Sequence, residues 1–396
     1  MISKRSLLRL FLSVIVIGLG LLVLLLVYLL IQRNKTVILP KPTGQFAVAR
    51  IGYDWIDDSR NEAYSETKGT KRKLSIWIWY PTDLNKNAKK TDYFPDKWET
   101  IQEKDSGFPY LQQNFRTINT NSFQDVPLST RQTTYPLIVF EPGMGNIVFS
   151  YTTLAENLAS QGYIVVGINP TYSSRFVVFS DESVAYRTPE GTIPENNLTD
   201  EQMNEVGSKL IKTWTEDMRF AVNKFVEMNS VQGSMWTGHM DTENIGTLGH
   251  SFGGAAAAES CLLDNRIKAG IDIDGYLYGV EKNPEKPFMF IMSQHQQNES
   301  YFQEFSKIQG VYNGLKKDGY LVEISKAAHA SFLDNAIFFS PILKAVGVFG
   351  TIDGERGLRI TNAYITAFFD KYLKNINSNF LKQKPSEYPE VKIQYK

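Results

Sequence analysis

The sequence predicts an α/β fold, a mostly parallel twisted sheet with helices on both faces, carrying cap insertions and preceded by one N-terminal transmembrane helix. Three observations predict it. From residue 135 onward, short and fully apolar runs alternate with helical segments, the pattern of βαβ units in a buried parallel sheet. The pentapeptide Gly249-His250-Ser251-Phe252-Gly253 joins one such run to an alanine-rich helix. An uncharged stretch rich in Leu, Val and Ile fills residues 10–31.

That stretch comes first in the chain. As a helix it spans roughly 33 Å, enough to cross a hydrocarbon core. A cleavable signal would have a shorter apolar region and a small-x-small site, whereas this run ends in Tyr28-Leu29-Leu30-Ile31-Gln32-Arg33. An uncleaved anchor is expected. Lys4, Arg5 and Arg9 precede it, so the positive-inside bias leaves residues 1–9 cytoplasmic and the remaining chain extracytoplasmic. Arg33 and Lys35 on the far side oppose that bias. Residues 32–45, with Pro40 and Pro42, read as a tether, and residues 46–396 as the folded domain.

Within the domain, 46–51 and 73–80 have β composition, and the second alternates before Pro81 as a half-buried antiparallel strand does. Residues 82–133 are polar and turn-rich, punctuated by Tyr93, Phe94, Trp98, Phe108 and Tyr110, and read as an insertion or surface subdomain. Leu137-Ile138-Val139-Phe140, a helix over 153–161 and Tyr163-Ile164-Val165-Val166-Gly167-Ile168 form the first βαβ unit. A second insertion covers 171–240: an irregular cap segment, then a helix over 200–228. Apolar strands follow at 245–248, 268–273, 288–292 and 320–324, with helices expected at 301–317 and 361–373. Strand–helix alternation of this kind builds a doubly wound sheet.

Composition narrows the function classes. Lys+Arg and Asp+Glu balance at 42 each, so no electrostatic footprint points to nucleic acid. The single cysteine, Cys261, excludes an intramolecular disulfide and reads as a buried, inert thiol in a helix. No metal-ligand spacing, dinucleotide fingerprint or phosphate loop occurs, so no cofactor and no metal is expected.

Gly-x-Ser-x-Gly alone is weak, arising by chance in about a tenth of chains this long. Its setting strengthens it. Strand, pentapeptide, helix is what a nucleophile elbow needs: a sharp turn that raises the serine hydroxyl, with glycines allowing close backbone approach. Ser251 is the candidate nucleophile. A hydroxyl needs a general base, and the base needs a carboxylate to orient it. Of the four histidines, His250 lies inside the elbow and His239 at the opposite end of its strand. His329 follows the 320–324 strand and fits the order serine, acid, histidine; His295 also follows a strand. Asp272 and Asp274 both end the 268–273 strand, and alternation places them on one face. Asp274 opens the loop, where a side chain can turn to the site, and Asp272 reads as structural. The oxyanion needs donors; the Phe252 N–H and the Met144 N–H of the Gly143-Met144-Gly145 turn are the candidates.

These residues give the α/β-hydrolase fold, and at this point they resemble a family. Tyr135-Pro136-Leu137-Ile138-Val139-Phe140, Leu158-Ala159-Ser160-Gln161-Gly162-Tyr163-Ile164-Val165 and Gly249-His250-Ser251-Phe252-Gly253-Gly254-Ala255 are similar to the plasma-type platelet-activating-factor acetylhydrolases and their bacterial relatives. Ala269-Gly270-Ile271-Asp272-Ile273-Asp274 resembles that family's acid strand, and His329-x-x-Phe332-x-Asp334 the stretch around its catalytic histidine. The resemblance selects Asp274 and demotes His295. It implies a calcium-independent serine ester hydrolase acting on short-acyl phospholipids or other small esters. Glu141-Pro142 departs from the Ser-His that the plasma enzymes carry before the oxyanion turn, and the two insertions match no family pattern. The rival expectations are a serine peptidase or thioesterase on the same fold, and a membrane-tethered binding protein without turnover.

Overall fold

The computed structural model describes residues 4–83, 87–105, 111–194, 198–278, 282–294, 299–339, 341–383 and 386–396. Nine strands carry the main sheet: β1 (Ala47–Asn61), β2 (Lys71–Thr82), β3 (Tyr135–Glu141), β4 (Ile164–Asn169), β5 (Met240–His250), β6 (Ile267–Ile273), β7 (Phe288–Ser293), β8 (Gly319–Ile324) and β9 (Val391–Tyr395). They lie in the order β9-β8-β7-β6-β5-β3-β4-β2-β1, with the two-residue strand Ser122–Phe123 at the far edge. Pairing is parallel from β8 to β4 through the middle of the sheet. It is antiparallel at β8–β9, β4–β2 and β2–β1. The longer helices among the described residues are α1 (Lys4–Arg33), α2 (Asp96–Asp105), α3 (Thr152–Ser160), α4 (Asp200–Met228), α5 (Phe252–Leu263), α6 (Glu299–Gly314) and α7 (Gly354–Leu373).

Strand alternation sorts the apolar residues into two cores. Ile138, Phe140, Val165, Leu248 and Ile271 face α3 and α7. Leu137, Val139, Val166 and Ile245 face α4, α5 and α6. Both faces of the parallel strands are therefore covered, which is why these strands read as continuous apolar runs. This is the α/β-hydrolase architecture.

Four segments differ from the sequence reading. The aromatics of 82–133 do not sit on a surface subdomain: Tyr93, Phe94, Trp98 and Phe115 are buried in the same cluster as α3. A few large rings bury enough surface to seat a segment whose remaining residues are polar; Phe108 and Tyr110 lie outside the described residues. The 32–45 segment runs against the domain, with Val37–Ile38 paired in parallel to Ile118–Asn119. The Asn114 N–H donates to Arg33 O at 2.9 Å, and the Gly44 N–H to Ser160 Oγ at 2.9 Å. The charged edge strand β9 has no apolar signature and was not expected, and β1 continues ten residues past Ile51 to Asn61.

The helix α1 has 30 residues, and an 18-residue window of it reaches a mean hydropathy of 3.3. Only Leu29 of it is buried. Length and composition suffice to cross a membrane. Its last turn meets the domain through Arg33, whose guanidinium lies 3.1 Å from Glu103.

The 171–240 insertion contains a small hairpin, Phe176–Val178 with Val184–Tyr186, and then α4. Thr199 and Gln202 close a capping box at the start of α4. An ion cluster fastens α4 to β2. Arg72 donates to Asp217 through Nε at 3.1 Å and Nη2 at 2.5 Å, and through Nη1 to Glu62 at 2.8 Å and to Thr171 O at 3.0 Å. The Arg72 and Asp217 side chains are 2% and 0% exposed. Asp217→Ala leaves the buried Arg72 guanidinium with Glu62 as its remaining carboxylate and two of its donors unpaired, which costs about 3–5 kcal/mol. Urea unfolding measures it. A loss below about 1 kcal/mol would show that apolar packing alone holds α4.

Candidate active site

At the β5–α5 turn the backbone of Ser251 adopts φ 55° and ψ −120°, a left-handed strain that an elbow imposes on its nucleophile position. The neighbouring glycines make it possible. A methyl group on Gly249 would lie 1.9 Å from Gly253 O. The Ser251 N–H donates to Ile273 O at 2.8 Å, and its carbonyl accepts from the Gly254 N–H at 2.9 Å. The strand end is thus tied to β6 and to the first turn of α5. Phe252 begins α5, so its amide is among those a helix start leaves without an intrahelical acceptor.

The Gly143-Met144-Gly145 turn lies against the elbow: a methyl group on Gly143 would come within 3.1 Å of Ser251 Cβ. Hydrogen bonds from Gly143 N–H to Tyr151 Oη at 3.1 Å and from Gly145 N–H to Ser173 O at 3.0 Å hold the turn. Among the described residues, the Met144 and Phe252 amides have no acceptor.

Asp274 follows β6 with φ 51°. That one dihedral breaks the alternation that put Asp272 and Asp274 on one face, and it separates them. The Asp274 carboxylate accepts from Ser293 N–H at 2.7 Å and Ser293 Oγ at 2.8 Å, and lies 2.8 Å from His329 Nδ1. Asp272 is fully buried and, among the described residues, accepts from Gly275 N–H alone, at 2.9 Å. Burial, reinforced by the Asp274 charge, pushes its carboxyl well above the usual carboxylate range. His329 opens a single turn, His329–Phe332, after β8. That turn is pinned where Ser331 Oγ accepts from Ala328 N–H at 2.9 Å and donates to Phe349 O at 2.7 Å.

Ser251, Asp274 and His329 border one cavity of about 390 Å³, together with Met144, Ile193, Phe252, Tyr276, Tyr278, Met292 and Phe305. The size is within the usual range for small-molecule sites. Tyr278 forms one wall. Its ring packs over Gly207 of α4, where a methyl group would come within 2.7 Å, and its hydroxyl donates to Met203 Sδ at 3.5 Å. Phe252 packs between Tyr278, tilted at a centroid distance of 5.7 Å, and Trp214, edge-to-face at 4.9 Å. The ion cluster under α4 therefore also supports this wall.

All five sequence candidates, Ser251, Asp274, His329, Met144 and Phe252, meet at this cavity. His239 and Cys261 fall elsewhere. His239 lies at the opposite end of β5, with Nδ1 2.9 Å from Thr133 O. Cys261 is buried, its thiol pushed up to about 12 by burial, and is inert as a nucleophile. His295 lies outside the described residues. Sequence reasoning missed Ser293 and Tyr151. Ser293 ends β7, the strand beside the acid strand, and that adjacency was the available signal. Tyr151 carried none.

Comparisons with known proteins agree with this fold. A family model described as platelet-activating factor acetylhydrolase, isoform II, matches residues 31–387. The chain is 24% identical over 325 residues to the platelet-activating factor acetylhydrolase of Cavia porcellus, covering 76% of this chain and 70% of that one. It is 24% identical over 390 residues to a probable 1-alkyl-2-acetylglycerophosphocholine esterase of Arthroderma benhamiae, covering 89% of this chain and 93% of that one. Among solved structures, a ferulic acid esterase from Streptomyces cinnamoneus superposes with a TM-score of 0.74 at 22% identity, covering 91% of this chain and 99% of that one. That likeness speaks to the fold.

The contact at Gly249 is open to test. Gly249→Ala forces its methyl group into the Gly253 carbonyl, and the shift needed costs about 1–3 kcal/mol or more. Calorimetry should show a lowered Tm together with lost esterase activity. An unchanged Tm would show that the elbow is looser than this geometry.

Proposed function

The chain belongs to the platelet-activating factor acetylhydrolase, isoform II, family and is a carboxylic ester hydrolase, and from that premise we propose the residues and the route by which it acts. Ser251 Oγ attacks the ester carbonyl while His329 Nε2 takes its proton. Asp274 accepts from His329 Nδ1–H, which fixes the tautomer that leaves Nε2 free and stabilises the imidazolium as it forms. The Phe252 and Met144 amides donate to the oxyanion. The tetrahedral intermediate collapses as His329 returns the proton to the departing alcohol, leaving an acyl-Ser251 ester. Water, deprotonated by His329, then releases the acid and restores the serine. The observation that carries this reading is the 2.8 Å contact between His329 Nδ1 and an Asp274 already held by Ser293.

The substrate is a small or short-acyl ester, with short-acyl phospholipids the first class to try. Two features support it. The cavity is walled by apolar and aromatic side chains, Tyr278 among them. The apolar helix α1 serves as a membrane anchor, with residues 1–9 cytoplasmic and the domain on the outer side, next to lipid. Neither a metal nor a cofactor has a step in this route.

With p-nitrophenyl acetate, His329→Ala should lower kcat by about 10³-fold or more, and His295→Ala should leave it unchanged. The reverse result would move the base to His295. An ester series of increasing acyl length, including a short-acyl phospholipid, checks the wall. Tyr278→Ala should shift the preferred acyl chain to greater length; an unchanged profile would place the acyl group elsewhere in the cavity.

A further inference from the structure

His250 is fully buried one residue before the nucleophile, and the route above gives it no task. Its hydrogen bonds do. His250 Nε2 lies 3.1 Å from His329 O. A carbonyl only accepts, so Nε2 carries the proton. In a neutral ring Nδ1 is then bare, and it accepts from the Tyr151 hydroxyl at 2.7 Å. The Tyr151 oxygen keeps a lone pair, which accepts the Gly143 N–H at 3.1 Å. Every polarity in the chain is fixed: Gly143 N–H to Tyr151, Tyr151 O–H to His250, His250 N–H to the backbone of His329.

We propose that Tyr151 and His250 are positioning residues that hold the oxyanion turn and the general-base loop at a set distance from each other and from Ser251. The proposal rests on the triad reading. One end of the relay is the residue before Met144, and the other is the backbone of His329 itself. Rings fix it laterally. His250 and His329 lie 4.5 Å apart between centroids, His250 and Phe332 5.8 Å, and Tyr151 and Phe140 5.0 Å. A protonated His250 would turn a donor against the Tyr151 hydroxyl and break the order. Burial, with the neighbouring His329 adding to it and Asp274 opposing, lowers His250 to about 3, so the relay keeps one polarity across the working range. A misplacement of about 1 Å at a catalytic group is enough to cost a large share of rate, and the relay constrains two such groups together.

Tyr151→Phe retains the ring and removes both hydroxyl bonds. In the full-length protein its kcat for p-nitrophenyl acetate should fall about 10–100-fold, with KM changed less than about threefold. Circular dichroism should remain that of the wild type. His250→Gln can still reach His329 O with its amide, whereas His250→Asn can serve only Tyr151, so the Gln variant should retain more kcat than the Asn variant. In the double variant Tyr151→Phe/His250→Asn the loss should not exceed the larger single loss, as groups acting as one unit behave. A Tyr151→Phe kcat within twofold of the wild type, or multiplied losses in the double variant, would overturn the relay. The rate of fluorophosphonate labelling separates the two readings. A wild type that does not label refutes the serine mechanism itself, whereas equal labelling rates in the wild type and Tyr151→Phe refute the relay alone.

Discussion

The site depends on one close approach, the backbone of Gly249 against the carbonyl of Gly253. Only residues without a side chain can bring a strand end and a helix start that near. The turn between them forces Ser251 into a left-handed conformation. That strain does two jobs: it raises the hydroxyl from the sheet and leaves the Phe252 amide at the head of α5. The cost is met by hydrogen bonds on both sides of the serine, to Ile273 and from Gly254.

What surrounds the elbow keeps it in place from two directions. On one face α4 is fastened to β2 by Arg72 and Asp217, and through Trp214 it presses on Phe252. On the other face Asp334 accepts from the Thr153 N–H in the first turn of α3, which fixes the His329 loop to the first βαβ unit. Burial holds the Asp334 carboxyl near 8, so this buried contact does not maintain a full charge at neutral pH. The candidate groups therefore sit together at the carboxyl ends of the strands, braced by elements packed on both faces of the sheet. Such a layout permits the loops to vary while the meeting point stays fixed.

Legibility in the sequence followed the physics of each element. The central strands could be read because burial on both faces makes them continuously apolar. Edge strand β9 could not, since half of it faces water and carries Lys392 and Gln394. Ser251 and His329 could be named from the elbow and the chain order, but Asp272 and Asp274 could not be separated by periodicity. A positive φ at Asp274 turns its carboxylate toward His329 and away from Asp272, and periodicity assumes extended backbone. Partners far apart in sequence were silent. Nothing near Tyr151 announces that it meets His250 ninety-nine residues later, and the aromatics of 82–133 hid a core role inside a polar, turn-rich composition.

The central claim is that acyl transfer passes through Ser251, and one measurement tests it most directly. Rapid mixing with a p-nitrophenyl ester, acid quench and peptide mass mapping follow the acyl group itself. The account predicts a burst of about one p-nitrophenol per protein, as a covalent intermediate gives when its hydrolysis is slow, and an acyl mass on the peptide containing Ser251. An acyl group on another residue, or turnover with no covalent adduct at any time, would contradict it.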